Sequence, residues 1–347
     1  MIPHSRPLID PQDREEVAKV LDSGHLVQGE QAALFEEDLC NFIGVRHGAA
    51  VSSGTAALHL SLAALGTGPG DEVVVPSFVC SALLNAVHYT GAKAVLADID
   101  PLTYNLDPAD TARRIGKKTK AVIVPHLFGT AADLDEIISL GVPVIEDCAQ
   151  SVGSRYKGRP TGSRGVISIF SFYATKVIAT GEGGMAVSND RDLIESIRDL
   201  REYDGKMNYR IRFNYKMTDF QAAMGRSQLR KLTAFIARRR EIAGGYDKAL
   251  WKLGVDVPQV PPDRDHIYYR YVLPSPPEGF LEKMQELGVS CRKPVFRPLH
   301  GYLGLSGYPN TDKAWKSSVS VPIYPGLDDS EVRTITEAMK EACSRNS

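Results

Sequence analysis

Three short stretches of the chain hold residue types that do chemistry together. Ser52-Ser53-Gly54-Thr55-Ala56 places a glycine between hydroxyl residues where a helical pattern starts. Free backbone N–H groups and the positive end of a helix dipole attract a phosphate at such a point, although the same turn also serves as a plain helix cap. Glu146-Asp147 ends the apolar run PVIED and is followed by Cys148, Ala149 and Gln150. A carboxylate at the end of a buried strand needs a partner to offset its lost hydration, so the pair reads either as site chemistry or as a cap or internal ion pair with an arginine. Lys176 follows Phe170-Ser171-Phe172-Tyr173-Ala174-Thr175, with Gly181-Glu182-Gly183-Gly184 shortly after. Among small and apolar neighbours a lysine amine is desolvated and becomes nucleophilic near neutral pH, whereas an ordinary loop lysine stays in water. An anion cradle, a strand-end aspartate and a strand-end lysine are together what a pyridoxal phosphate site needs: a phosphate anchor, a partner for the pyridine nitrogen and an amine for the aldehyde.

Such residues must be delivered to one edge by a scaffold. From about residue 50, short β-rich runs alternate with helical patterns: strands at 49–53, 71–76, 92–99, 120–125, 143–147, 166–172 and 184–188, helices at 55–65 and 81–90. This alternation predicts a mostly parallel α/β sheet, whose ligand sites lie beyond the strand ends. Thr218 and Gln221 stand as N-cap and N3 of a capping box opening a long helix, on which Arg238, Arg239 and Arg240 are expected to form a solvated face. Around residues 245–262 a Gly- and Pro-containing connection follows; beyond it HIYYRYVLP reads as a strand, FLEKMQELG as a helix and DSEVRTITEAMKEACS as a closing amphipathic helix. The expected organisation is an N-terminal arm (1–20), a large domain (21–245) and a small C-terminal α/β domain (246–347).

Composition removes other classes of function. With 347 residues, 43% hydrophobic and 24% charged, the chain is long enough for a sizeable core plus a smaller one. A formal net charge of -1 gives no field for binding nucleic acid or an anionic membrane. The N-terminus carries prolines and acids instead of a signal-like apolar run, so neither export nor a membrane anchor is expected. Five scattered cysteines without a C-x-x-C pair argue against a disulfide framework and a zinc site and for a reducing cytoplasm. The eight histidines contain no H-E-x-x-H, so no metal is expected. Gly66-Thr67-Gly68-Pro69-Gly70 follows a helix and precedes a strand, the reverse of a dinucleotide fingerprint, and is read as a turn. His126, in PHLFG, is either a site residue or a packed strand end.

The stretches SSGTAALHLSLAALGTGPGDEVVVPSF, VIEDCAQSVGSRYKGRPTGSRGVISIFSFYATK with GEGGMAV, and NYKMTDFQAAMGRSQLRKL resemble the DegT/StrS-type family of pyridoxal-phosphate-dependent sugar aminotransferases. The resemblance runs from the N-terminal arm to RPLH and SVPIYPGL. It implies a fold type I PLP-transferase: a mostly parallel central sheet flanked by helices, plus a small C-terminal α/β domain, with PLP and PMP as cofactor forms. It implies further that Lys176 carries the cofactor as a Schiff base, that Asp147 pairs with the pyridine nitrogen and that Gln150 lies near the phenolic oxygen. Gly54, Thr55 and Ala56, with Ser171, would bind the phosphate. Asn214 would reach the neighbouring subunit's phosphate in a homodimer with shared sites, and His300 would approach the sugar. Cys80 stands where the family has an aromatic ring stacked on the cofactor. Either its sulfur packs on the ring, or Phe78 supplies part of the contact, or Cys80 is a buried structural cysteine.

The activity implied is transfer of an amino group from an amino acid, glutamate, to a keto group of a nucleotide-linked sugar, as in the biosynthesis of deoxyaminosugars for polysaccharides or antibiotics. A cyclitol aminotransferase is an alternative that no residue excludes. A sugar dehydratase is another, but the family's dehydratases replace the lysine by histidine and this chain keeps Lys176. A non-catalytic regulatory relative predicts degraded site residues, whereas Lys176, Asp147 and Ser171 are all present.

Overall fold

The computed structural model describes residues 1–344. Each of the seven apolar runs forms a strand: β1 (His47–Val51), β2 (Glu72–Pro76), β3 (Lys93–Ala97), β4 (Thr119–Pro125), β5 (Val144–Asp147), β6 (Ile167–Ser171) and β7 (Gly184–Ser188). They pair in one sheet in the order β1-β7-β6-β5-β4-β2-β3. Only β7 runs antiparallel to its neighbours β1 and β6. Helices such as Gly54–Ala64 and Ala82–Tyr89 flank the sheet, and Val73–Val75 and Ala121–Val124 are fully buried. Burial on both faces is why these strands read as continuous apolar runs instead of alternating ones. Registers Pro125 to Asp147 and Asp147 to Ile169 bring the carboxyl ends of β4, β5 and β6 to one edge, and the site residues emerge there.

The long helix opens at Thr218, whose N–H and hydroxyl donate to Gln221 Oε1 at 3.0 and 2.7 Å. Asp219 then caps a second helix, Glu30–Ile43, by accepting from Gly29, Gln31 and Ala32 N–H at 2.7, 3.2 and 3.1 Å. The helix continues to Trp251, so the limit expected at 245 falls inside it. Glycines 244 and 245 lie within it, each costing about 1 kcal/mol against alanine. Tyr246 and Leu250, fully buried just beyond, contribute about 1.5–3 kcal/mol each and outweigh that cost. They join a separate core with Tyr271, Phe280, Val321 and Ile335, around the paired strands Tyr271–Leu273 and Val319–Val321. The expected arm also differs: Pro11–Ser23 is a helix packed on the long one, and Ile2 pairs with Val289.

Of the Arg238–Arg240 triplet, expected to be solvated, Arg239 is buried. It donates to the carbonyls of Tyr268, Tyr269 and Ile323 at 3.0, 3.3 and 2.8 Å. Burial lowers its pKa to about 10, so it stays charged at neutral pH. Arg239→Met leaves three carbonyls without their donor and is expected to cost about 3–5 kcal/mol in urea unfolding. A midpoint unchanged from wild type would show the clamp to be dispensable. Among the described residues no helix is long and apolar enough to cross a membrane.

Candidate active site

Lys176 lies in the loop joining β6 to β7. Ala174 N–H to Gly181 O (2.9 Å) and Thr180 N–H to Phe172 O (2.8 Å) close the loop, and Lys176 N–H donates to Tyr173 O at 2.8 Å. Val177 and Ile178, buried directly after it, anchor the turn while Lys176 itself stays half-exposed. Its Nζ lies 5.2 Å from the centre of the Tyr269 ring, where the π-face attracts a cation. Lys176, Cys80, Gln150, Tyr269 and Arg270 line one cavity of about 770 Å³, whose far wall is Leu281 to Phe296.

Asp147, the last residue of β5, is buried beside this cavity and accepts from Ala149 N–H at 3.0 Å. Burial holds its carboxyl above the usual carboxylate range, against the Ala149 hydrogen bond and the nearby charge of Lys176. The ion pair with an arginine that its position allowed is not formed among the described residues. Glu146 has the opposite fate. Burial would raise it, but donation from His126 Nε2 (3.0 Å), Gly162 N–H (2.8 Å) and Gly165 N–H (2.6 Å) holds it below its ordinary value. His126 Nδ1 accepts from Ala132 N–H at 3.1 Å, which leaves the ring proton on Nε2 facing Glu146. His126 is therefore a packed strand-end residue. His126, Glu146 and Cys148 come within metal-ligand distance of one another, but these hydrogen bonds already occupy the imidazole and the carboxylate.

At the end of β1 the chain turns into the Gly54–Ala64 helix. Ser53 Oγ accepts from Ala56 N–H at 3.0 Å, the plain helix cap that the turn allowed, and the N–H groups of Gly54 and Thr55 stay outside that cap. A Cβ on Gly54 would lie 2.7 Å from Ser171 Cβ, so glycine is what lets the helix start meet the end of β6. The two hydroxyl-bearing ends are thereby brought together. Gln150 Oε1 accepts from Phe128 N–H at 2.9 Å, which fixes the amide and turns its NH2 toward the cavity.

Three sequence expectations change. Phe78 is fully buried among Tyr104 and Phe128, so it supplies no contact in the cavity. Cys80 is no buried structural cysteine: its surface faces the cavity, while the walls around it desolvate the thiol and raise its pKa. His300 is buried outside the cavity lining, with Nδ1 at 2.6 Å from Ser77 Oγ, Nε2 at 3.2 Å from Asp312 and its ring stacked on Tyr308. Asn214 is exposed and does not line this chain's cavity. It sits between Phe213 and Tyr215, whose stacked rings pack on His59, and Ser52 N–H donates to Tyr215 O at 2.7 Å.

Sequence reasoning missed Tyr269 and Arg270. The run HIYYRYVLP pairs as a strand only over Tyr271–Leu273, because Tyr268 adopts φ 50, the left-handed region. His266 Nδ1 accepts Tyr268 N–H at 2.7 Å and Arg239 holds its carbonyl, and these bonds sustain a conformation that costs about 1–3 kcal/mol. Gly129 permits the approach, since a Cβ there would lie 2.7 Å from Ile267 Cγ1. The turn sends Tyr269 and Arg270 to the cavity. Burial would raise the Tyr269 phenol, but the charges of Lys176 and Arg270, with Thr175 and Arg239, bring it down to about 8.

Comparison with known proteins points the same way. The family model for the DegT/DnrJ/EryC1/StrS aminotransferase family matches residues 7–340. A GDP-perosamine synthase of Caulobacter vibrioides is 35% identical over 358 residues, 96% of each chain. The crystal structure of the aminotransferase TlmJ from Streptoalloteichus hindustanus superposes with TM-score 0.93 at 33% identity, covering 99% of this chain and 98% of that one. DesV of S. venezuelae, solved in complex with a ketimine intermediate, gives TM-score 0.92 at 30% identity over 99% and 100% of the two chains.

Proposed function

Because the chain belongs to the DegT/DnrJ/EryC1/StrS aminotransferase family and is a pyridoxal-phosphate-dependent aminotransferase, we propose that it moves an amino group from glutamate to the keto group of a nucleotide-linked sugar, with Lys176 as its catalytic residue. The observation that carries this reading is one large cavity lined by Lys176 and Gln150, with the buried end of β5 at Asp147 beside it. The residues present fit the cofactor. Asp147 forms no ion pair among the described residues and would take a protonated ring nitrogen as its partner, while Gly54 and Thr55 N–H and the Ser171 hydroxyl suit the phosphate. The GDP-sugar product in the Caulobacter relative's name supports a nucleotide-linked substrate.

Bound there, pyridoxal phosphate supplies an electron sink that lets the donor's α-proton leave. The remaining work belongs to the chain. Lys176 Nζ would take the proton and give it back, acting as base and then as acid. Asp147 would hold a proton at the pyridine nitrogen, and Gln150, whose Oε1 accepts from Phe128 N–H, would offer its NH2 to the phenolic oxygen. The active unit is proposed to be a homodimer in which Asn214 serves the partner's phosphate. Met207, Tyr209 and Ile211, 103, 96 and 71% exposed beside Asn214, support this as apolar groups that a second copy would cover.

Cofactor-loaded protein is expected to be yellow, and borohydride to fix the cofactor on the Lys176 peptide, read by mass spectrometry. With glutamate and a panel of keto-sugar nucleotides it should release 2-oxoglutarate. Amination of cyclitol ketones alone would overturn the substrate class, and an unlabelled Lys176 would overturn the site.

A further inference from the structure

Among the described residues two lysines sit over an aromatic ring. Lys157 Nζ, 5.2 Å from the centre of the Tyr156 ring, also pairs with Asp135 at 2.7 Å on the surface. Lys176 Nζ, 5.2 Å from the centre of the buried Tyr269 ring, has no ion pair among the described residues. Lys293, the other amine lining the cavity, is held by the Lys316 carbonyl at 2.6 Å.

A ring and a carboxylate hold an amine differently. A carboxylate attracts an ammonium strongly enough to keep it protonated, whereas the face of a neutral ring attracts it more weakly and offers little to the uncharged amine. A ring therefore holds Lys176 while it carries a proton and releases it once the proton leaves. The transaminase reading asks this of the amine: it is free of the cofactor while the donor is bound there, becomes an ammonium on taking the donor's proton, and must then be a neutral nucleophile again.

Tyr269 is held in register with the Lys176 loop from two sides. Arg239 donates to the Tyr268 and Tyr269 carbonyls at 3.0 and 3.3 Å, and the Tyr269 hydroxyl lies 3.5 Å from Oγ1 of Thr175, the residue before Lys176. The helix that carries Arg239 reaches the same loop at its other end, where Gln221 Nε2 donates to Glu182 O at 2.9 Å. One helix thus fixes both the ring and the loop. The phenol registers the contact: burial would raise its pKa, and the charge of Lys176 is the largest of the influences that lower it.

We propose that Tyr269 is a positioning residue whose ring seats the free Lys176 ammonium in this cavity, acting on the reaction through Lys176. The proposal rests on the transaminase reading of Lys176.

The seat is read first in cofactor-free protein. Reductive methylation with isotope-labelled formaldehyde leaves lysine nitrogens charged, and the Lys176 methyl resonance is assigned by its loss in Lys176→Ala. It is expected upfield of the surface lysines, shifted by the Tyr269 ring current. Tyr269→Phe should keep that shift and Tyr269→Leu should lose it. The second readout is a ratio of dissociation constants. Pyridoxal phosphate takes the amine off the ring and pyridoxamine phosphate leaves it there, so removing the ring favours the aldehyde form. In Tyr269→Leu the Kd for pyridoxal phosphate, divided by that for pyridoxamine phosphate, should fall about fivefold, with Tyr269→Phe close to wild type. General damage to the site would weaken both forms and leave the ratio unchanged. A wild-type Lys176 resonance among the surface lysines, or a ratio that moves by less than about twofold in folded Tyr269→Leu, overturns the seat. Should Tyr269→Leu fail to fold, the wild-type resonance decides. Wild-type protein in which pyridoxal phosphate forms no bond to Lys176 would sink the transaminase reading, and the cofactor-free resonance would still decide the seat.

Discussion

Lys176→Ala is expected to lower turnover by about 10⁴-fold or more, since one amine provides both the covalent link and the proton transfer. No neighbour can replace it. Arg270 shares the Tyr269 ring but carries a guanidinium in place of an amine, and Lys293 is tied to the Lys316 carbonyl. The variant should fold, because Lys176 is half-exposed and its loop is closed by backbone bonds and by Val177 and Ile178. Steady-state rates with glutamate, together with a circular dichroism spectrum matching wild type, make the check. Activity retained within tenfold would remove Lys176 from the mechanism.

Asp147→Asn should be nearly as damaging, with kcat down about 10³-fold, because an amide cannot hold a proton at the ring nitrogen as a carboxylate does. Its effect on stability has the opposite sign. Burial raises the folded pKa of Asp147 above its unfolded value, so the folded chain binds the proton more tightly. Without cofactor, this group therefore costs nothing well below the unfolded pKa. Its cost grows as pH rises from there to the folded pKa, and stays constant above. Asp147→Asn should thus raise the melting temperature of cofactor-free protein at neutral pH while reducing the further rise on adding pyridoxal phosphate. Glu146 shows why the strand end tolerates one paired acid: hydrogen bonds lower its pKa, so its stabilisation is present at neutral pH and is lost as pH falls through the folded value. A cofactor-free Asp147→Asn that melts below wild type would contradict the argument.

The sheet and the cavity floor were readable because they follow from local pattern. Apolar runs of five to eight residues marked each strand, and Asp147 at the end of one run, with Gln150 and Lys176 just beyond two of them, lies at the shared edge. Arg239 was not readable, since helical spacing does not reveal that three carbonyls from distant segments meet that face. Tyr269 and Arg270 depend on a left-handed residue inside an apolar run, a tertiary outcome enforced by Arg239 and His266. His300 and Phe78 turned inward for a related reason: Ser77, Tyr308 and the Tyr104–Phe128 cluster offer partners that spacing cannot foresee. The missed domain limit came from Gly244 and Gly245, whose low helix propensity is overruled by the packing of Tyr246 and Leu250.

That unbroken helix restricts how the cavity can move. Its 33 residues make a rod about 50 Å long, with one end in the core beneath the sheet and the other in the core behind the Leu281–Phe296 wall. Bending this helix between the two cores would break successive i to i−4 hydrogen bonds. Arg239, between Ile236 in one core and Ile242 in the other, ties the rod at that point to the carbonyls of Tyr268, Tyr269 and Ile323.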